Sequence, residues 1–392
     1  MKWPGRVGYY AAVGGYPHVS LQDPELRNGK PKRGKDGFLI SYTGGFSIVF
    51  PIDVMSKTFA LRCWTQDVRN AESRYKQIDD HLKSISLRYF VDFKYVPDGI
   101  LVAGTEYPIT RMEWVEGLSL REFIEQNIRT PHIFEVVADE FQEMVAELHK
   151  HQIAHGDLQD GNILLTKNNN AVEIKLIDYD SLFVPKLRGQ PEQIVGLPEY
   201  QHPIRITGGG QANETVDYFS ELVIYLSFLS LAEKPELWDR FKDKTEKGLL
   251  FSKMDFENPD QSDVFKELAN LSFDVQQLAA TLKDFCAKTS LDELEPLEAV
   301  LPNPPKTIWQ KITDVWYPLT EAWQQIPDVW QQIPDVWQQI IRGVKNNQHF
   351  ITAGTLSLAL IICFVAFLIQ IDAKNAALSQ RTELTKRLIE KE

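Results

Sequence analysis

Cysteine is nearly absent from this 392-residue chain, with Cys63, Cys286 and Cys363 far apart. That spacing builds neither a disulfide framework nor a thiolate metal cluster, so the thiols read as small core hydrophobes in a reducing cytosol. A basic excess is missing too, since 42 Lys and Arg face 54 Asp and Glu for a formal charge of −12. Such a balance exerts no general pull on nucleic acid, and no nucleic-acid partner is expected. Residues 301–392 hold 9 basic and 8 acidic residues, which leaves −13 on residues 1–300. Met1 to Pro17 lacks the apolar block behind a basic start that marks a signal peptide. Two absences are local: no Lys or Arg from Ile312 to Ile341, and no Ser or Thr from Leu182 to Pro203.

What is present begins with a dense polar run, His155-Gly156-Asp157-Leu158-Gln159-Asp160-Gly161-Asn162, followed by apolar Ile163-Leu164-Leu165. Sixteen residues beyond Asn162 comes Ile177-Asp178-Tyr179-Asp180. Gly196-Leu197-Pro198-Glu199-Tyr200-Gln201-His202-Pro203 and Asp217-Tyr218-Phe219-Ser220 follow. In this order the four motifs resemble those of eukaryotic-like Ser/Thr protein kinases. They match the catalytic loop H-R-D-L-x-x-x-N, the D-F-G motif, the G-T-P-E-Y-x-A-P end of the activation segment, and the D-x-W-S opening of a central helix. The first motif also fits small-molecule kinases of the aminoglycoside type, whereas the two later ones favour the protein-kinase branch.

The resemblance implies ATP and Mg2+, with Asp157 as catalytic base and Asn162 and Asp178 as metal ligands. Several positions depart from the pattern. Gly156 replaces arginine, Gln159 replaces the lysine that supports the transferred phosphate, Asp180 replaces glycine, and Leu197 and Ile204 replace Thr and the final Glu. Gly156 agrees with the missing Ser and Thr downstream: switching by Ser/Thr phosphorylation of that segment is not expected, and Tyr200 is the remaining acceptor.

Upstream, Tyr42-Thr43-Gly44-Gly45-Phe46-Ser47-Ile48-Val49-Phe50 is similar to the glycine-rich strand-turn-strand that lets backbone amides approach phosphate. Phe59-Ala60-Leu61-Arg62-Cys63-Trp64 resembles V-A-I-K, with Arg62 in the place of the phosphate-gripping lysine. A helix follows with Ala71, Tyr75, Ile78 and Leu82 on one face, and Glu72 and Asp79 are the candidates for its acid partner to Arg62. Pro108 to Leu120 resembles the hinge strand, with Met112 as gatekeeper and Glu113 to Val115 at the adenine edge. Phe134, Val137, Phe141, Val145 and Leu148 predict a core helix leading to His155. By the same resemblance Gly44, Gly45, Val49, Ala60, Arg62, Met112, Glu113, Val115 and Leu164 surround the nucleotide.

The C-terminal part carries a different pattern. Trp309, Trp316, Trp323, Trp330 and Trp337 recur every seven residues, each followed three later by Ile312, Leu319, Ile326, Ile333 or Ile340. This is an amphipathic heptad pattern, but Pro318, Pro327 and Pro334 break or kink a continuous helix. A stalk that self-associates through 309–340, a strip packed on the main domain, an interfacial segment at a membrane and a duplicated linker without a specific role all remain open. Phe350 to Ile371 is free of charge and long enough to span a bilayer. The tail carries Lys374, Arg381, Lys386, Arg387 and Lys391, against Arg342 and Lys345 before the span, which would place the tail inside. Against this count, a nucleotide-dependent domain without an export signal should stay where ATP is, so the main domain is expected inside and the side of the tail stays open.

The expectation is therefore an α+β, two-lobed protein-kinase-like fold followed by a Trp-heptad stalk and one transmembrane helix. Its parts are an extension (1–37), a kinase-like domain (38–290, N-lobe about 38–115, C-lobe about 116–290), a linker (291–349), the span (350–371) and a charged tail (372–392). The expected function is a membrane-anchored protein kinase, cytoplasmic in its main domain, that phosphorylates Ser or Thr of a protein. The alternative is a nucleotide-binding pseudokinase acting as a tethered scaffold.

Overall fold

The computed structural model describes residues 3–302 apart from 69, 169–170, 193 and 209. Alternating Ile48, Phe50 and Ile52 are fully buried on one face of a strand, the period-2 pattern of a pleated element. That strand, β3 (Ser47–Val54), joins β1 (Lys30–Pro31), β2 (Tyr42–Thr43), β4 (Lys57–Trp64), β5 (Phe93–Val102) and β6 (Thr105–Glu113) in an antiparallel sheet. The order is β1-β3-β4-β6-β5, with β2 beside β3. Ala103 and Gly104 take φ of 48° and 84° between the paired Val102 and Thr105, a two-residue hairpin turn.

Two short helices, α1 (Arg6–Gly15) and α2 (Pro17–Ser20), cover the sheet's outer face. Tyr9, Ala12, Val13, Leu21 and Leu26 are buried there with Ile48, Phe50, Leu61 and Ile109. The Tyr9 hydroxyl donates to the Trp64 carbonyl at 2.6 Å, and buried Asp23 pairs with Arg111 at 2.6 Å. The extension is thus part of the sheet's core.

On the inner side lies α3 (Ala71–Ile85), which buries Ala71, Tyr75, Ile78 and Leu82 as its periodicity predicts. The chain then enters a helical half through β7 (Leu118–Ser119) and α4 (Leu120–Asn127). Ser119 and Glu122 cap each other's backbone at the start of α4, with distances of 3.3 and 2.9 Å. Helix α5 (His132–Lys150) buries Phe134, Val137, Phe141, Val145 and Leu148, the predicted face. The hairpin of β8 (Ile163–Asn168) and β9 (Ala171–Leu176) pairs with β7 and ends at Asp178.

After the short α6 (Pro203–Ile206), α7 (Tyr218–Glu233) is buried on nearly every side. Helices α8 (Glu236–Phe241), α9 (Lys253–Glu257), α10 (Asp263–Leu268), α11 (Phe273–Ala287) and α12 (Leu297–Val300) pack around it. The α+β expectation holds: a sheet-rich first half, a helical second half.

Among the described residues no helix is long and apolar enough to cross a membrane. The Trp repeats of 309–340, the span at 350–371 and the charged tail lie outside the described residues. By chain contacts Met1–Pro305 and Lys306–Glu392 are separate units.

Candidate active site

The loop after α5 is shaped by one buried carboxylate. Asp217 accepts the backbone N–H groups of His155 and Gly156, the latter at 3.0 Å. Gly156 has φ +78°, and a Cβ there would lie 2.5 Å from the Ser181 carbonyl oxygen, so the arginine of the family pattern has no room. His155 is fully buried and donates from Nε2 to the Ile177 carbonyl at 2.9 Å, which ties the catalytic loop to the segment bearing Asp178. Burial holds its pKa below the ordinary histidine value.

Asp157 is held at one oxygen only. Its Oδ2 accepts from Asn162 Nδ2 at 2.9 Å and from Gln159 Nε2 at 3.4 Å, while Oδ1 is buried without a hydrogen-bond partner. Gln159 thus donates to Asp157 where the family pattern has a cation. Burial, then the Asp178 charge, outweigh these bonds and push Asp157 up to about 7. Gly196 backs the free oxygen: its φ is +86°, and a Cβ would stand 2.6 Å from Oδ1.

Arg62 stands across the cleft with both arms engaged. One Nη donates to Asp178 Oδ1 and the other to Asp180 Oδ2 at 2.5 Å. Asp180 also accepts the Tyr75 hydroxyl from α3, and Arg74 Nε donates to the Asp180 carbonyl at 3.1 Å. The helix acids expected from sequence are not there. Glu72 is exposed, and Asp79 pairs with Lys83 at 2.7 Å on the helix surface. Position 75, one turn from each, faces the cleft and carries a tyrosine. Burial raises both carboxylates. Arg62 overcomes it at Asp178, which is held below its ordinary value, whereas the deeper Asp180, facing the Asp178 charge, stays above.

The remaining predicted residues lie on β3, β4, β6 and β8 or in the segments next to β3 and β6. Val49 sits directly opposite Arg62 in the β3–β4 register, and Ala60 sits opposite Met112 between β4 and β6. Val49, Ala60, Met112, Val115 and Leu164 are half-buried beside fully buried neighbours such as Phe50, Leu61 and Ile163, as expected of residues facing an open cleft. Glu113 is exposed. Gly44 and Gly45 have room for a side chain, so any demand for glycine there comes from a bound group.

Three participants were missed by sequence reading. Arg6 of α1 donates to the Gly44 carbonyl at 3.0 Å. Arg205 donates to the Gly156 carbonyl at 2.7 Å and pairs with buried Glu192 at 2.9 Å, anchoring the segment that carries Gly196. Asp217 was read as a helix opening, but its work is on the loop. Only long-range contacts reveal these roles.

The donors fit magnesium. Asn162 and Asp178 offer an amide and a carboxylate oxygen, and Asp178 is a third exposed. Among the described residues no group of three or more His, Cys, Asp or Glu is arranged to hold a metal alone. Most of the coordination would fall to phosphate and water, as this cation favours.

Comparison with known proteins agrees with this geometry. A family profile, the protein kinase domain, matches residues 54–289. The chain is 29% identical over 121 residues to serine/threonine-protein kinase PknB of Mycolicibacterium smegmatis, covering 29% of this chain and 18% of that protein. It is 30% identical over 131 residues to calcium-dependent protein kinase 14 of Arabidopsis thaliana, covering 32% of this chain and 24% of that protein. Misshapen-like kinase 1 of Rattus norvegicus is 32% identical over 79 residues, which covers 20% of this chain and 6% of that protein. The matched segments thus span less than a quarter of these relatives.

Proposed function

The chain belongs to the protein kinase family, and from that premise we propose that it transfers the γ-phosphate of ATP to a Ser or Thr hydroxyl of a protein. The observation that carries this reading is the buried, unpartnered Oδ1 of Asp157, on a carboxylate with a pKa near neutrality. A base that must take a hydroxyl proton at physiological pH works best in that range. The proposed step is an in-line displacement. The substrate oxygen bonds to the γ-phosphorus, its proton passes to Asp157 Oδ1, and the bond to the β-phosphate oxygen breaks to release ADP.

The other side chains orient and neutralise. Asn162 fixes the Asp157 carboxylate through Oδ2, leaving Oδ1 unpaired. Arg62 is placed for the phosphate-gripping role, and Val49, Ala60, Met112, Val115 and Leu164 give the adenine an apolar slot. Magnesium held by Asn162 and Asp178 would neutralise developing phosphate charge. The span at 350–371 and a cytoplasmic main domain are part of the same proposal, supported by the uncharged run of 350–371 and by the need of such a domain for ATP.

The test uses the full chain in detergent micelles with magnesium, γ-labelled ATP and a generic basic protein as acceptor, beside Asp157→Asn. Label transferred by the parent and lost in the variant supports the reading. Absence of transfer, with magnesium-dependent protection by ATP against unfolding, would instead support a nucleotide-binding scaffold.

A further inference from the structure

Asp180 stands where the family pattern has glycine, and the proposed chemistry gives it no task. Yet its side chain is 3% exposed and both oxygens are engaged, one by Arg62 at 2.5 Å and the other by the Tyr75 hydroxyl. The surrounding backbone is bolted to the same helix, because Arg74 donates to the carbonyls of Asp180 at 3.1 Å and Leu182 at 2.7 Å. In protein kinases generally, a glutamate of this helix pairs with the cation of the adjacent strand. Here the helix presents donors, Arg74 and Tyr75, and the acid comes from the loop. The direction of the link is reversed.

This reversal explains two departures together. An arginine has two Nη groups in a rigid fork and can meet two carboxylates at once, which the single ammonium of a lysine does less well. Glycine at 180 would remove the second carboxylate. Arg62 would then have Asp178 alone as its partner, on an oxygen that metal binding also needs. Asp180 keeps hold of the guanidinium when Asp178 is called on elsewhere.

We propose that Asp180, oriented by Tyr75, is a positioning residue that holds Arg62 at the phosphate site and limits its competition with magnesium for Asp178. The inference rests on the kinase reading for the identity of the bound group, but its readout does not require turnover. Tyr75→Phe keeps the ring, which stacks on Tyr95 at a centroid distance of 5.6 Å, and removes only the donor. Asp180→Asn keeps the shape and removes the charge.

In the full chain, magnesium is titrated at fixed ATP while the unfolding midpoint is followed, and KM for ATP and kcat are measured in parallel. Asp180→Asn is expected to raise the magnesium needed for half-maximal protection by roughly ten-fold, the scale of a lost charge-assisted hydrogen bond, with KM rising more than kcat falls. Tyr75→Phe should shift both in the same direction by a smaller factor, and it carries the test should Asp180→Asn not fold. A lower unfolding midpoint with an unchanged magnesium requirement and KM in both variants would overturn the proposal. A parent that transfers no phosphate while the magnesium shift persists would remove the kinase reading and leave Asp180 as a nucleotide-positioning residue.

Discussion

Gly196 lacks a side chain for a reason that belongs to Asp157, the proposed base. Alanine there would set a Cβ 2.6 Å from Asp157 Oδ1 at φ +86°, so the carboxylate would have to move. Displacing a reacting group by about 1 Å can cost 100-fold in rate, and a fall of that order is expected in kcat/KM for Gly196→Ala. Gly208 has a similar φ of +80° with open space around it, so Gly208→Ala should lose only about 1 kcal/mol of stability and keep its rate. Equal rate losses in the two variants would show backbone strain, not contact with the base, to be responsible. The same base predicts the pH dependence. Since Asp157 must be ionised to accept a proton and burial pushes it up to about 7, kcat/KM should climb with pH and level off above that value. The sign for stability is opposite. A carboxyl whose pKa is raised in the folded state loses stability as pH rises from about 4 to about 7, so Asp157→Asn should unfold at a higher temperature than the parent at pH 8. A midpoint below the parent's would contradict the desolvated carboxylate.

The elements differ in how plainly the sequence announces them. Helices α3 and α5 follow from local periodicity, and their buried faces are those the pattern predicts. Asp157, Asn162, Asp178 and Arg62 were singled out from the sequence because chemistry restricts which residues can serve and at what spacing. The partner of Arg62 was not, because it depends on a loop and a strand meeting across more than a hundred residues of chain. Nor was the extension, whose buried residues Tyr9, Ala12, Val13, Leu21 and Leu26 are too sparse for a clear period yet fill the outer face of the sheet. That filling makes the extension indispensable. Burying one large apolar side chain is worth about 1.5–3 kcal/mol, so losing Tyr9, Val13, Leu21 and Leu26 would rival the entire stability of a typical domain. A chain starting at Phe38 should therefore be recovered aggregated. A milder test is Asp23→Ala, which leaves Arg111, 7% exposed, with only the more exposed Glu25 as acid partner. The expected loss is about 3 kcal/mol by denaturant unfolding, and a loss near zero would mean that Glu25 alone satisfies the guanidinium.

At the scale of the whole described unit, one ionic cluster links the catalytic loop to the last helix. His149 on α5 lies 2.9 Å from Glu221 on α7 and 2.9 Å from Glu298 on α12. These are the helices that make the loop: α5 delivers the chain to His155, and Asp217, which holds the loop's backbone, stands immediately before the first residue of α7, one turn before Glu221. Burial opposes protonation of His149, but the two carboxylates outweigh it and raise it to about 10, against an ordinary value of 6.5. The sign follows from linkage. A histidine protonated more tightly in the folded state contributes its stability in full below about 6.5 and loses it as pH rises through about 10. Glu221, pushed up to about 7 by burial, adds a slope of the same direction, since its ionisation is disfavoured by folding. His149→Gln leaves a neutral donor between the buried Glu221 and the partly exposed Glu298, so the variant should be less stable than the parent by about 3 kcal/mol at pH 6, with the gap closing toward pH 10. Unfolding midpoints measured across that range decide it: a gap independent of pH would assign the loss to packing against Tyr218, whose ring lies 5.0 Å from the imidazole. Because Glu221 and Asp217 share one helical turn, a variant that loosens this cluster should also slow phosphate transfer at pH 6 more than at pH 10, although His149 touches neither substrate nor the base.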